Sequence, residues 1–525
     1  MAIKLNGIFK DGMVFQWGAE LRVFGTADHA CTIRCDIMDD GKPVYSGAAG
    51  TEEDGSFLVC VTPTEEPGGP YQIVVCENEQ EVLTINDAYA GEVWLASGQD
   101  NMEYPLYRTE FAKFVLPKIG ETDIRLYTVP FAGFMDEAQA KAEEESKWIP
   151  INSDTAGQMS GIAFYFAYSL NTRLDAKIGI ISCCAYGSTI DCWTSVDSLK
   201  ESKEGLQYIN DFDEAASEMT DAEYEEEAEL YNSAKAKYDA NLALALEEKP
   251  NLTYLEADTL IGPAPWPPPV GYAAVRRPGS FFENMILRIA PYTLRGVIFY
   301  QGESDTFGHQ AEYGKVFKTM ISEWRMVFFD DELPFIFCQL PMYISKDRKY
   351  MGYDDMSWPT LREQQQIVAI DTPNVYMAVI ADCGEFDNMH PSDKKTPGDR
   401  LALLAQKFVY GFENVDAVAP YIIDARRGEG VEITFGGDYM LLNISSDFGG
   451  NESGFEVAGE DGEYFPADAA VDFDGKTVLL ACPKVEYPCK VRYGYFSYGP
   501  TALHAQNGLA ATPFQVRIDK DLGGI

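Results

Sequence analysis

Histidine and basic residues are scarce in this sequence. Of its 525 residues, four are histidine, 41 are lysine or arginine and 83 are aspartate or glutamate, which gives a formal net charge of −42. Proteins that bind nucleic acid present a basic face to phosphate, so this balance argues against a nucleic-acid partner. An anionic membrane surface would repel the same charge.

Long apolar runs are also missing. The opening stretch MAIKLNGIFKDGMVF lacks an apolar run of signal-peptide length, and no stretch has the ~20 apolar residues of a membrane-spanning helix. The eleven cysteines include no C-x-x-C pair, which disfavours zinc ribbons and thioredoxin-like chemistry. We therefore expect a cytoplasmic protein with reduced thiols, no membrane partner, no cofactor and no metal site.

Strand and helix patterns predict three domains. Residues 1–85 contain short apolar strands separated by turn dipeptides such as Asp40-Gly41, which is typical of a small β-sandwich. Residues 86–412 alternate apolar strands with helical segments and predict an α/β domain with a parallel sheet. Strand patterns return in residues 413–525 and predict a C-terminal β domain.

An acidic, alanine-rich stretch interrupts the α/β pattern at about residues 196–260. Its composition predicts a solvated helical hairpin or pair of helices inserted in the α/β domain. The sequence GPAPWPPPVGY comes next, and its prolines exclude both helix and central strand because they lack the backbone N–H. This run is expected either to lie over a surface as an extended lid or clamp, or to be a plain connector.

Polar residues and a glycine come directly after four predicted strands of the α/β region. The stretch GEVWLASGQDNMEYPL breaks from strand to turn before Asp100, and KIGIISCCA leads to Gly187. RGVIFY leads to Gln301, and VYMAVIADC leads to Asp387 and His390. Ligands bind at the carboxyl ends of strands in open parallel sheets, so these residues are candidates for one site. Each motif alone is more often structural than catalytic.

The residue types in these motifs suit acyl transfer. In an Asp-x-x-His pair, the carboxylate of Asp387 would orient the imidazole of His390 and stabilise its cationic form. The side chain of Gln301 has an amide N–H that an oxyanion accepts, although the same amide could instead tie two loops together. Gly187 would let a backbone N–H approach a substrate closely.

Together the four segments resemble the sequence blocks of SGNH-type hydrolases, most closely the sialate O-acetylesterase-like carbohydrate esterases. The resemblance spans nearly the whole chain and includes KDGMVFQW, GGPYQIVV, PGSFFENMI, TLREQQQ and VRYGYFSYGP. It implies a three-layer α/β esterase domain with a parallel sheet, flanked by N-terminal and C-terminal β-rich domains. It also implies hydrolysis of acetyl esters on sugars by a Ser-His-Asp type mechanism.

The resemblance implies a role for each site residue. His390 matches the family's general base and Asp387 its orienting acid, while Gly187 and Gln301 match its oxyanion donors. The family's first block usually reads Gly-Gln-Ser-Asn-Met, whereas this chain has Asp100 at the position of the nucleophilic serine. The backbone N–H of residue 100 would complete the oxyanion hole.

Three accounts of Asp100 stay open. The substitution was introduced, or arose, as a knockout of an ordinary O-acetylesterase; or the protein is a natural pseudoenzyme that still binds acetylated glycans; or Asp100 itself reacts. The third ranks last because an anhydride is an uphill intermediate in acyl transfer. A carboxylate next to His390 would favour the imidazolium and aim negative charge at the oxyanion hole, so we expect depressed esterase activity.

The predicted partner is an acetylated sugar or oligosaccharide, and the sequence indicates no oligomeric state. Sugar binding favours aromatic platforms and a few directed polar groups. The candidate platforms are Trp193, Tyr104, Trp266 and Trp358. Core packing is the alternative role for about half of them.

A sialate would also need a cation for its carboxylate. Arg362 is the first candidate, with Arg276, Arg277 and Arg108 behind it. A structural salt bridge is the alternative role for each of these arginines. A neutral acetylated xylan or mannan fragment would need no arginine.

Overall fold

The computed structural model describes residues 3–62, 64–445 and 452–518. The chain forms two compact units, the first made of Met1–Gln301 and Lys315–Phe335, and the second of Gly302–Gly314 and Ile336–Ile525. This division differs from the predicted limits at residues 85 and 412. One strand, Gln80–Gly98, runs without a break across the first of those limits.

The first unit begins with strands and continues with alternating strands and helices. Its strands are β1 (Ile3–Leu5), β2 (Val14–Gln16), β3 (Leu21–Ala27), β4 (Thr32–Asp39), β5 (Lys42–Gly50), β6 (Ser56–Val61), β7 (Gly68–Glu77), β8 (Gln80–Gly98), β9 (Ile124–Thr128), β10 (Ile149–Pro150), β11 (Ile178–Cys184) and β12 (Gly296–Tyr300). Its helices are α1 (Asp100–Glu103), α2 (Ala112–Val115), α3 (Glu137–Glu145), α4 (Gly161–Asn171), α5 (Val196–Lys200), α6 (Lys203–Ser217), α7 (Asp221–Glu248) and α8 (Tyr254–Ile261). Helix α9 (Tyr313–Val327) lies mostly in this unit.

Most of the N-terminal strands pair in antiparallel fashion, whereas β2 pairs in parallel with β8. Strand β3 lies between β1 and β6, and β4 lies between β5 and β7. Strand β7 also pairs with the first half of β8. The second half of β8 then enters the next sheet, so no linker separates the N-terminal strands from the α/β elements.

The α/β part of the first unit has a sheet in the order β10-β9-β11-β8-β12. Strands β9, β11, β8 and β12 are parallel, and β10 is an antiparallel edge strand. The carboxyl-terminal half of β8 and all of β12 are buried, which explains why their sequences are continuous apolar runs. The predicted parallel sheet is confirmed for these strands.

The acidic insertion is helical, as predicted, but it forms the four helices α5 to α8 instead of a hairpin or a pair of helices. Helix α7 has 28 residues and a capping box in which Thr220 and Glu223 exchange hydrogen bonds. Ala245 is its buried residue and packs with Leu252 and Ala257 in a small apolar cluster. Most of α7 therefore faces solvent, which accounts for its charged composition.

The second unit is rich in β-structure toward its C-terminal end. Its strands are β13 (Phe335–Cys338), β14 (Val375–Ala378), β15 (Tyr421–Arg427), β16 (Val431–Gly436), β17 (Leu442–Ile444), β18 (Phe455–Ala458), β19 (Tyr464–Pro466), β20 (Asp468–Val471), β21 (Thr477–Ala481), β22 (Lys490–Tyr493), β23 (Leu503–Ala505) and β24 (Phe514–Arg517). Its helices are α10 (Lys346–Tyr350), α11 (Ser357–Asp371) and α12 (Lys395–Leu404).

Strands β15 to β24 form three antiparallel sheets around one core. The sheet orders are β15-β16-β21-β20, β17-β23 and β19-β18-β22-β24. Phe435, Phe455, Tyr493 and Phe514 are buried together between them. The predicted β-rich C-terminal region is confirmed.

Two further features concern the whole described chain. None of the described helices is long and apolar enough to cross a membrane. All eleven cysteines lie within the described ranges and none forms a disulfide.

Candidate active site

The ends of three parallel strands coincide. Gly98 of β8 lies opposite Cys184 of β11 and opposite Tyr300 of β12. The segments directly after these strands carry Asp100, Gly187 and Gln301. The sheet of the first unit therefore brings these three predicted site residues to one edge, as the sequence predicts.

Gly98 makes the sharp turn that presents residue 100. Its φ is +142°, and a Cβ at this position would collide with the carbonyl oxygen of Tyr300. The same carbonyl accepts a 3.0 Å hydrogen bond from the backbone N–H of Gln99. Only glycine fits this close contact. Strand β8 ends at Gly98, and α1 starts two residues later at Asp100.

The carboxylate of Asp100 accepts a hydrogen bond from the predicted oxyanion donor, the backbone N–H of Gly187. The backbone N–H of Gly187 donates a 2.6 Å hydrogen bond to Asp100 Oδ2, and Gln99 Nε2 lies 3.3 Å from the same oxygen. The N–H that would stabilise a developing oxyanion is thus already bound to a fixed negative charge.

Gly187 is also the place where the proline-rich run meets the site. Its φ is +62°, and a Cβ here would collide with the indole of Trp266. The carbonyl oxygen of Pro265 accepts a 3.3 Å hydrogen bond from Tyr231 Oη of helix α7. The run GPAPWPPPVGY therefore passes next to Gly187 and contacts helix α7 of the insertion, and its role as a lid or clamp stays a prediction. Trp266 is 51% exposed to solvent.

Gln301 ties loops together and is not placed as an oxyanion donor. Its Nε2 donates to Gln99 Oε1 at 3.1 Å and to the carbonyl oxygen of Ser188 at 3.0 Å. A primary amide has two protons to donate, and both are used in these bonds. We therefore correct the predicted role of Gln301 in favour of its structural alternative.

A cavity of about 370 Å³ lies at the end of helix α1 that carries Glu103. Its lining includes Glu103, Thr128, Phe131, Ser182, Cys184 and Tyr254. Protein atoms crowd the Glu103 carboxyl although it opens to the cavity, and this desolvation, followed by the charge of Asp100, raises the pKa of Glu103 to about 7. Sequence reasoning missed Glu103, although its place three residues after Asp100 puts both on one helical turn.

Three predicted aromatic platforms are buried and are corrected to core residues. Trp193 packs on Phe281 and donates from Nε1 to Ser188 Oγ at 2.9 Å. Tyr104 donates from its hydroxyl to the carbonyl oxygen of Arg108. Trp358, in the second unit, packs against the ring of Tyr343. Each is at most 2% exposed, so none offers a face to a sugar.

Arg362 is also a structural residue, contrary to the prediction. It is 1% exposed, and burial lowers its pKa to about 10. Its Nη1 donates to the carbonyl oxygen of Pro341 at 3.2 Å, and its Nη2 donates to those of Gly494 and Phe496. The guanidinium therefore joins segments of the second unit and is not available to a sugar carboxylate.

The predicted base and orienting acid lie on one loop of the second unit. The backbone N–H of His390 donates to Asn388 Oδ1 at 3.1 Å. Asp387 has φ +56°, and its Oδ1 accepts a 2.7 Å hydrogen bond from the backbone N–H of Lys346. To orient the imidazole of His390, Asp387 would have to accept a hydrogen bond through its other carboxylate oxygen. The orienting role of Asp387 stays a prediction.

One group of side chains in the described residues has the spacing of a metal site. Ligand atoms of His29, Cys31 and Glu77 lie within 4.8 Å of one another. Both ring nitrogens of His29 already face carboxylates, with Nδ1 2.8 Å from Asp28 Oδ1 and Nε2 2.7 Å from Glu77 Oε1. The group sits among the N-terminal strands, and the reaction proposed for the strand edge does not use it.

Comparison with known proteins points in one direction. Residues 270–406 match the family model of sialic acid-specific acetylesterases among the carbohydrate esterases. The sialate O-acetylesterase of Mus musculus is 24% identical over 423 residues, which cover 77% of this chain and 72% of that protein. The human sialate O-acetylesterase is 22% identical over 77% of this chain and 70% of its own length.

A solved structure is similar over almost the full length. A carbohydrate acetylesterase from Xanthomonas citri superposes with a TM-score of 0.73 and 25% identity, covering 98% of this chain and 99% of that one. With the family match and the relatives above, this similarity supports a sialate O-acetylesterase-like hydrolase of the SGNH type.

Proposed function

We propose that this scaffold deacetylates a carbohydrate hydroxyl and that residue 100 is the position of its nucleophile. The observation that carries the proposal is the 2.6 Å hydrogen bond from the Gly187 N–H to the side chain at residue 100. An oxyanion donor has to lie next to the atom that attacks the ester, and this bond supports that pairing. We further propose the three-layer SGNH arrangement and a cytoplasmic location.

With serine at residue 100, the reaction would proceed as in serine esterases. His390, oriented by Asp387, takes the hydroxyl proton as the serine oxygen bonds to the acetyl carbon. The N–H groups of Gly187 and of residue 100 stabilise the resulting oxyanion. The sugar oxygen leaves with the proton from His390, and water then releases acetate from the enzyme by the same route.

With Asp100, this sequence is impaired at its first step. A carboxylate has no hydroxyl proton for His390 to take, and its attack on an ester would form an anhydride. Its charge also occupies the Gly187 N–H on which the oxyanion would depend. We therefore propose that the chain as it stands hydrolyses acetyl esters several orders of magnitude more slowly than a serine enzyme.

A second candidate function is binding of acetylated glycans without turnover. The bond between Gly187 and Asp100 favours it, because it leaves the cavity lined by Glu103 open while it blocks the oxyanion donor. Reaction at Asp100 itself ranks behind both because of the anhydride.

The test is the rate of 4-nitrophenyl acetate hydrolysis by the chain as it stands and by the Asp100→Ser and Asp100→Ala variants. We expect Asp100→Ser to be faster by about 10³-fold or more, the scale on which triad residues act, and Asp100→Ala to show no such gain. Equal rates for all three would show that residue 100 is not the nucleophile position. Tight binding of an acetylated sugar without activity in Asp100→Ser would favour the binding function.

A further inference from the structure

The group formed by His29, Cys31 and Glu77 brings three types of metal ligand together among the N-terminal strands. An imidazole nitrogen, a thiol sulfur and a carboxylate oxygen all lie within 4.8 Å of one another. Zinc takes nitrogen, sulfur and carboxylate ligands in proteins, whereas magnesium and calcium prefer oxygen alone. The set of ligands therefore indicates zinc or a chemically similar divalent cation.

Strand pairing brings these residues together, although Cys31 and Glu77 are far apart in the sequence. Strand β4 pairs with β7 in a register that sets Glu77 opposite Ile33, which follows Cys31 by two residues. The backbone N–H of Cys31 donates to Thr51 Oγ1 at 3.2 Å, and its carbonyl oxygen accepts from the Thr51 N–H at 3.1 Å. The sheet thus fixes the backbone of both ligands in advance, as a metal site requires.

A further carboxylate is placed as the outer partner of a metal-bound imidazole. His29 Nε2 lies 2.7 Å from Glu77 Oε1, and Nδ1, the opposite ring nitrogen, lies 2.8 Å from Asp28 Oδ1. Metal-binding histidines almost always donate their other ring N–H to a carboxylate, a carbonyl or water, which fixes the tautomer and orients the ring. Asp28 would serve His29 in this way while Nε2 binds the metal.

The three ligand atoms need only a small adjustment to surround a metal. Bond lengths to zinc of about 2.0–2.3 Å in a tetrahedron put ligand atoms ~3.3–3.6 Å apart. His29 Nε2 and Glu77 Oε1 would separate by ~0.6 Å, and Cys31 Sγ would move in by ~1.2 Å at most. The side chain of His29 is 45% exposed, so its ring can move without disturbing the core.

A plain surface ion pair is the alternative role for this group. It would account for the two carboxylate contacts of His29, but it gives no role to the thiol of Cys31, which lies within the same 4.8 Å. The charges of Glu77 and Asp28 both act on this thiol, and a divalent cation would compensate them. The net charge of −42 also attracts cations to the chain.

We propose that His29, Cys31 and Glu77 bind one Zn²⁺ ion, with Asp28 as the outer partner of His29 and water as the fourth ligand. Cys31 binds as the thiolate and releases its proton to solvent. The metal ties the loop before β4 to the end of β7, so it stabilises the N-terminal strands and takes no part in the reaction at residue 100. The expectation of no metal site followed from the missing C-x-x-C pairs, whereas strand pairing assembles these ligands.

The test is titration of the metal-free full chain with Co²⁺, which replaces zinc and absorbs visible light. We expect one Co²⁺ per chain with a Kd of about 1 μM or lower, strong visible bands of a four-coordinate site and a near-ultraviolet thiolate-to-cobalt band. Zn²⁺ added afterwards should remove both sets of bands by displacing cobalt. Cobalt held by surface carboxylates and water is octahedral and absorbs only weakly, so exposed acidic groups do not produce this signal.

Variants distinguish the ligands from their surroundings. Cys31→Ser should abolish the thiolate band and weaken Co²⁺ binding at least about tenfold, while Cys60→Ser, at an exposed cysteine of β6, is the matched control and should keep both. His29→Gln should weaken binding to the same extent, and its exposed side chain keeps the test available if Cys31→Ser does not fold. Asp28→Asn should weaken binding about 10- to 100-fold but retain the thiolate band, because Asp28 contacts the ligand and not the metal.

Two results would overturn the inference. One is a parent chain without the thiolate band, or a band that persists in Cys31→Ser. The other is Co²⁺ binding that His29→Gln leaves unchanged, since the imidazole would then not be a ligand. Neither result depends on esterase activity, so the metal site and the proposed function fail or stand separately.

Discussion

Each unit has a cluster of charged residues, and the two clusters differ in how fully the arginine of each is paired. In the second unit, Asp382 is paired with Arg400 by two hydrogen bonds of 2.5 and 2.7 Å. His504 Nε2 lies 3.6 Å from the same carboxylate. Burial alone would raise the pKa of Asp382, but the hydrogen bonds from Arg400 and His504 hold it well below its usual range.

The cluster around residue 100 in the first unit has a different character. The hydrogen-bond donors to the Asp100 carboxylate include the backbone N–H of Gly187 and the side-chain amide of Gln99. Desolvation by crowding protein atoms and the charge of Asp100 raise the pKa of Glu103, and Arg276 has a buried Nη2 with no acceptor among the described residues. The guanidinium of Arg276 is thus less fully matched than that of Arg400.

The difference distinguishes structural charges from functional ones. A buried charge that serves stability is matched by its neighbours, as Asp382 is by Arg400. Charges that are poorly matched lower stability, and proteins keep them where chemistry or binding needs them. On this basis we expect the residue-100 cluster to be the functional one of the two.

The largest expected effect on this comparison comes from the same substitution at both aspartates. Asp382→Asn should lower the free energy of unfolding by about 3–5 kcal/mol, because it leaves the buried guanidinium of Arg400 without its anion. Asp100→Asn should change it by less than about 1 kcal/mol, since an amide oxygen can still accept the hydrogen bond from Gly187. Urea denaturation of the three chains measures both values.

Asp468→Asn, at an exposed position of strand β20, serves as the control for the substitution itself and should leave the unfolding curve in place. If Asp100→Asn destabilised the chain as much as Asp382→Asn does, residue 100 would be a structural residue like Asp382, and the distinction would be lost.

A smaller effect should appear in the pH dependence of stability. Because the folded pKa of Glu103, about 7, lies above that of an unfolded glutamate, the folded chain binds the extra proton between about pH 4.5 and 7. Stability from this group is therefore present at low pH and lost as the pH rises through 7. Asp382 acts in the opposite sense, since its stabilisation is lost as the pH falls through its folded pKa.

Urea denaturation of the Glu103→Gln variant at pH 5 and pH 8 checks this sign. From pH 5 to pH 8, the free energy of unfolding of the variant should rise relative to that of the parent chain. The rise should be less than about 1 kcal/mol, because the carboxyl is open to the cavity and solvent screens its charge. Glu145→Gln, on helix α3, is the control. A gain in the reverse direction would contradict the raised pKa of Glu103.

Much of the first unit's site can be predicted from sequence because it depends on strand ends. Continuous apolar runs predicted β8, β11 and β12, and parallel strands bring the loops at their carboxyl ends to one edge of the sheet. Asp100 and Gly187 were found in this way. Backbone motifs of this kind are local, so the sequence records them directly.

Residue roles that depend on side-chain partners could not be predicted in the same way. Gln301 reaches the right edge, but only the structure reveals that Gln99 and Ser188 take both of its amide protons. Arg362 and Arg276 are the same residue type, and both are candidates for the same role in the sequence analysis. They differ in which carbonyl groups the fold brings to them, and that depends on contacts between segments far apart in the chain.

The central claim is that residue 100 is the position of the nucleophile. Its most direct test is the mass of the intact protein after exposure to a fluorophosphonate, which bonds covalently to an activated serine. We predict one adduct per chain in Asp100→Ser, located on the introduced serine, and none in the chain as it stands. An adduct in the unaltered chain, or one on Ser97 or Ser188 in the variant, would contradict the account.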